Sequence, residues 1–142
     1  MGRLIGAYSA LTGQLSARLV DEHGLTLSEL EVLLLLSRAP ERAMRRIDLA
    51  TRVRLSPSGI TRMLDRMEAT GLVEKGACKE DARVSYAVLT DSGMARLRRA
   101  WRAHCAAIEQ LLGERFDAEE LASLTELLDR VAEAPVECEG PD

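Results

Sequence analysis

Apolar positions recur every three or four residues along most of the chain. Leu4, Tyr8, Leu11, Leu15 and Leu19 form one stripe, which predicts an amphipathic first helix stopping near His23-Gly24. "TLSE" offers a capping box, with Thr26 as N-cap and Glu29 reaching back to it. The helix it opens, "LSELEVLLLLSRA", is apolar on most sides and so belongs at the centre, with Pro40 marking its end. "MRRIDLATRVRL" predicts a short helix with Ile47, Leu49, Ala50 and Val53 inward. In "LSPSGITRMLDRMEATGLV", Leu55 to Val73, Ser56 is an N-cap and Pro57 takes the first helical position, where its missing N–H is no loss. Ile60, Met63, Leu64 and Met67 make the inward stripe of this helix, and Gly71 is its stop.

After Gly71 the period shortens to that of a strand. "LVEKGAC" and "VSYAVLT" read as two short strands, and the charged "KEDAR" between them reads as the turn of a hairpin. "TDSG" starts a long helix with Met94, Leu97, Trp101, Cys105, Ile108 and Leu112 on one side. "DAEELASLTELLDRVAEA" is the last helix, capped by Asp117, with Leu121, Leu124, Leu128 and Val131 predicted to face inward. The tail "APVECEGPD" is acidic, carries two prolines, and is expected to be flexible over residues 135–142. The fold class is mainly α with a small β-hairpin.

A chain of 142 residues suits one domain, and 46% hydrophobic with 30% charged residues is a globular composition. At 3% aromatic residues, the core must be built from Leu, Val, Ala and Met. The longest apolar run, "VLLLL" at Val32 to Leu36, is far short of the roughly 20 residues that span a bilayer. "MGRLIGAYSA" has no signal-peptide pattern, so the expected location is the cytoplasm with no membrane partner. Cys78, Cys105 and Cys138 are odd in number and include no CxxC pair, which predicts reduced thiols. Arg outnumbers Lys 17 to 2, a bias that points to a GC-rich bacterial genome.

The net charge of −4 hides an asymmetry. Arg42 to Arg83 holds 10 basic and 6 acidic residues, whereas Ala103 to Asp142 holds 2 and 11. A basic middle between acidic ends is a local electrostatic footprint, and it falls on the two short helices and the hairpin. A short helix, a tight turn and a second helix form a helix-turn-helix pattern, whose second helix enters the major groove of double-stranded DNA N-terminus first. Its outer face here offers Ser56, Ser58, Thr61, Arg62 and Arg66. Hydroxyls meet phosphates or bases, and Arg bonds guanine through two N–H groups. The hairpin makes the pattern a winged one, with Lys79 and Arg83 placed to meet a narrow minor groove.

The stretch "SPSGITRMLDRMEATGLVEKGACKEDARVSYAVLTDSG", Ser56 to Gly93, resembles the MarR (multiple antibiotic resistance regulator) family of winged-helix repressors, and "GLTLSELEVLLLL" from Gly24 resembles that family's second helix. The resemblance implies a winged helix-turn-helix over residues 25–91 and a helical dimerisation region from residues 1–24 and 92–134. It further implies an obligate homodimer on a pseudo-palindromic operator, released from DNA by a small aromatic or anionic effector. By the same resemblance Asp81 holds Arg83 at the wing tip, and Asp65 is an acid that orients nearby arginines. The wing departs from the family at Gly76, Ala77 and Ala82, where relatives often carry basic residues. No Cys precedes Cys78, so the peroxide-sensing mechanism of one branch lacks its thiol.

Tyr8, Leu11, Trp101 and His104 are the candidate effector-pocket residues, because ring-bearing side chains sit on helices expected to approach each other. No metal site and no cofactor is expected: His104 and Cys105 adjoin on one helix, point about 100° apart, and poorly share one ion. Two His, no phosphate-binding glycine loop and no nucleophile elbow disfavour an enzyme. The alternatives are a winged-helix protein-interaction module and a metal- or redox-sensing regulator, the latter through Cys78 or Cys105.

Overall fold

The computed structural model describes residues 2–77 and 85–131. Helix α1 spans Gly2–His23 and α2 spans Leu27–Arg38. A three-ten turn at Pro40–Arg42 leads into strand β1, Ala43–Arg45, and helix α3, Arg46–Arg52. Helix α4 is Pro57–Ala69, β2 is Val73–Ala77 and β3 is Ser85–Leu89. Helices α5, Asp91–Gly113, and α6, Ala118–Asp129, complete the order. The sheet is antiparallel in the order β1-β3-β2. None of the described helices is long and apolar enough to cross a membrane.

The local signals explain most of these boundaries. Thr26 Oγ1 accepts from the Glu29 amide at 3.2 Å, and Glu29 Oε2 accepts from the Thr26 amide at 2.9 Å, closing the capping box. Asp117 and Glu120 do the same for α6. Gly24 and Gly71 adopt the left-handed conformation that ends α1 and α4, at φ 63 and φ 72. Helix α3 ends as α4 does, with Leu55 N donating to Ala50 O at 2.9 Å as Leu72 N does to Met67 O, but its left-handed residue is Arg54 at φ 55.

Val32, Leu33, Leu36, Leu49, Ile60, Leu64, Met67 and Leu97 fill the centre, each burial contributing about 1.5–3 kcal/mol. Among the described residues, every buried apolar side chain lies between Leu19 and Ala100. The core therefore belongs to the middle of the chain, under α4 and the sheet. Gly93 fixes how α5 leaves it: a Cβ there would lie 2.0 Å from the Leu72 carbonyl oxygen. Thr90, the N-cap of α5, adds bonds from its hydroxyl to Gly71 O and from its amide to Leu72 O.

Several sequence expectations are corrected. Ile47 is 63% exposed, because at 100° per residue it stands about 110° from the buried side of Leu49, Ala50 and Val53. Met44 belongs to β1, paired with Ala87, and not to a helix. Within the single chain, Leu4, Tyr8, Leu124, Leu128 and Val131 are exposed, and Leu121 is half-buried, because no described element covers those faces.

Candidate nucleic-acid interface

Helix α4 presents its polar crest because its opposite side is sealed into the core. At 100° per residue, Ile60, Met63, Leu64 and Met67 converge on one line, and Arg62 points opposite them. Its first turn contains no acid. The partial positive charge of the helix start is therefore not cancelled locally, which favours an anion there. Ser56 Oγ accepts from the Gly59 amide at 3.1 Å and lies 3.2 Å from Ser58 Oγ. Thr61 Oγ1 donates to the Pro57 carbonyl at 2.8 Å. Its proton is thus committed, and what Thr61 offers outward is an acceptor lone pair and a methyl group, the complement of a base amino group and a thymine methyl. Ser56, Ser58, Thr61, Arg62 and Arg66 are all exposed.

Ion pairs run from the flanks of the helix to three neighbouring elements. Asp65 Oδ1 lies 4.0 Å from Arg46 Nη1 on α3, so the acid named by resemblance does face an arginine. Glu68 meets Lys75 of β2 at 2.9 Å. Arg66 Nη2 donates to Glu29 Oε1 of α2 at 3.4 Å, a long-range bond that no local pattern in the sequence could reveal. On the sheet, β2 and β3 pair from Val73↔Leu89 to Ala77↔Ser85. Lys79, Asp81 and Arg83, the expected wing residues, lie outside the described residues, as do Cys78 and Cys138.

The expected effector cleft is not assembled by this chain. Helices α1 and α5 run antiparallel, with Arg96 bonding His23 O and Arg18 bonding Gln110. At 1.5 Å per residue, these two contacts leave Tyr8 and Trp101 roughly 15–30 Å apart along the pair. Leu11 is also displaced from Trp101, and Trp101 packs instead against the core, its ring 6.2 Å from that of His104. A cavity of about 250 Å³ does open between the same helices, midway along the register. Leu15, Leu19, Ala103 and Ala107 give it an apolar floor, and Arg18, Glu22, His23, His104 and Gln110 give it a polar rim. Of the four sequence candidates only His104 lines it. Burial holds the His104 imidazole below the ordinary value of 6.5. His23 Nε2 is buried there without a hydrogen-bond partner among the described residues. The signal for this site was the run 15, 18, 19, 22 on α1, a helical face that faces residues 103, 104 and 107 of α5.

Comparison with known proteins agrees with this architecture. A MarR family model matches residues 23–84. The chain is 28% identical to the HTH-type transcriptional regulator MhqR of Bacillus subtilis, over 88% of this chain and 83% of that protein. Among solved structures it is similar to AbsC, a MarR family transcriptional regulator from Streptomyces coelicolor, with a TM-score of 0.79, 31% identity, and 92% and 88% of the two chains covered. It is similar also to Sco3205, a MarR family regulator from the same organism solved in complex with DNA, with a TM-score of 0.81, 30% identity, and 92% and 85% covered. The likeness runs through the terminal helices as well as the central ones, and the chain belongs to the MarR family of transcriptional regulators.

Proposed function

We propose that this protein is a sequence-specific DNA-binding repressor, acting as a homodimer in the cytoplasm and released from its operator by a small aromatic or anionic molecule. The observation that carries the reading is the crest of α4. An arginine, a serine and a threonine stand exposed on a helix whose opposite side is buried and whose start lacks acidic residues. The Sco3205 relative, solved with DNA, supports the same use of this fold. In this reading Ser56 and Ser58 meet the phosphates, and Thr61 and Arg62 meet base edges. By the family resemblance, Lys79, Asp81 and Arg83 serve the minor groove. The effector sits in the α1–α5 cavity beside His104, and acts only by preferring a dimer whose recognition helices are wrongly spaced.

The test is a binding titration against duplexes from the region upstream of the protein's own gene and against random duplex, at several salt concentrations. The reading predicts preference for one pseudo-palindromic upstream site, with half-sites about one helical turn apart, and a steep fall in affinity with salt. Binding that is absent, or equal for all duplexes, overturns it.

A further inference from the structure

Arg66 stands on α4 four residues beyond Arg62, but its chemistry differs. Taking the buried stripe as the reference direction, Arg62 points nearly opposite it, while Arg66 is turned toward one flank. That flank faces the start of α2. Glu29 waits there with its side chain only 11% exposed. One of its oxygens, Oε2, accepts from the Thr26 amide at 2.9 Å and from Thr26 Oγ1 at 3.0 Å. The other, Oε1, takes Arg66 Nη2 at 3.4 Å. A nearly buried carboxylate with one oxygen bound to its own helix cap needs a cation for the second, since an unpaired buried charge is strongly destabilising. Arg66 supplies it across 37 positions of sequence.

Asp65 and Glu68, turned to the other flank, are tied to Arg46 and Lys75. The helix is therefore braced on both sides, and its rotation about its own axis decides where Ser58, Thr61 and Arg62 point. We infer that Arg66 is a positioning residue: its pairing with Glu29 sets the rotation of α4 relative to α2, and its charge is held away from the phosphates. This inference rests on the DNA-binding reading of α4.

Its test compares Arg66→Met, Glu29→Gln and the double variant with wild type, reading affinity for operator and random duplex over a salt series, together with Tm. Arg66→Met is expected to leave the salt slope on random duplex unchanged while lowering the preference for operator by about tenfold, the scale of coupling between contacting residues. Glu29→Gln releases Arg66 toward the groove, so its random-duplex slope is expected to steepen by about 0.9, one more phosphate's share. The double variant is expected to be no worse than Arg66→Met alone. A slope that falls by about one phosphate's share in Arg66→Met, with Glu29→Gln binding like wild type, makes Arg66 a phosphate contact and overturns the inference. Should Arg66→Met not fold, the Glu29→Gln slope decides alone. Should the wild-type protein bind no duplex, the DNA-binding reading fails instead. The pairing is then judged by Tm, where losses that simply add overturn it.

Discussion

Arg54 holds a left-handed backbone, φ 55, that costs an L-residue with a side chain roughly 1–2 kcal/mol. The turn between α3 and α4 needs that conformation, because Leu55 must bond back to Ala50. Glycine removes the strain but returns about 0.5–1 kcal/mol of freedom to the unfolded chain. Arg54→Gly is therefore expected to stabilise by up to about 1 kcal/mol, checked by the midpoint and slope of urea unfolding. Lower stability would show that the Arg54 side chain contributes more than its backbone costs. His104 carries a pH consequence. Burial holds its folded-state pKa below 6.5, so the unfolded chain takes up the proton first. Its contribution favours folding above that value and is lost as pH falls below it. Tm should thus drop less between pH 7.5 and 5.5 in His104→Gln than in wild type. Equal drops would place the acid sensitivity elsewhere.

At the scale of elements, what the sequence revealed was local. Thr26, Ser56 and Asp117 cap helices through side chains two or three residues from their partners, and Gly24 and Gly71 end them, so those boundaries could be read directly. The crest of α4 was legible for the same reason: a strong helical period fixes which residues face out. What escaped was set by distant partners. β1 is a strand only because the outer edge of β3 offers Tyr86, Ala87 and Val88 to residues 43–45, and three residues carry no period of their own. Ile47, inside α3, stands about 110° round the helix from the Leu49, Ala50 and Val53 side and so faces outward. The α1–α5 cavity could not be read from ring-bearing positions, since only His104 of the expected pocket residues lines it. The antiparallel register of α1 and α5, fixed by Arg18–Gln110 and Arg96–His23, brings leucines, alanines and two histidines together and leaves Tyr8 far from Trp101.

The whole molecule has its core at one end of its surface chemistry. Its buried residues belong to the central elements, while Leu4, Ile5 and Tyr8 at one terminus and Phe116, Leu124, Leu127, Leu128 and Val131 at the other stand exposed. Apolar faces of that extent on terminal helices fit an isologous contact with a second copy. Sedimentation at micromolar concentration is expected to give about twice the chain mass of 15.6 kDa, and a stable monomer would contradict the dimer. Two such chains carry two α4 crests related by a two-fold axis, which is what reading a pseudo-palindrome requires. In the proposed dimer, the basic middle of each chain would favour DNA and the acidic ends would oppose it. Whether the α4 crest reads base edges is decided by one comparison. Operator and random-duplex affinities are measured at fixed salt for wild type and Arg62→Ala, with circular dichroism to verify folding. If Arg62 contacts a base, the variant is expected to fold and its preference for operator over random duplex to fall by about 1–3 kcal/mol. A folded Arg62→Ala protein that discriminates as well as wild type would contradict it.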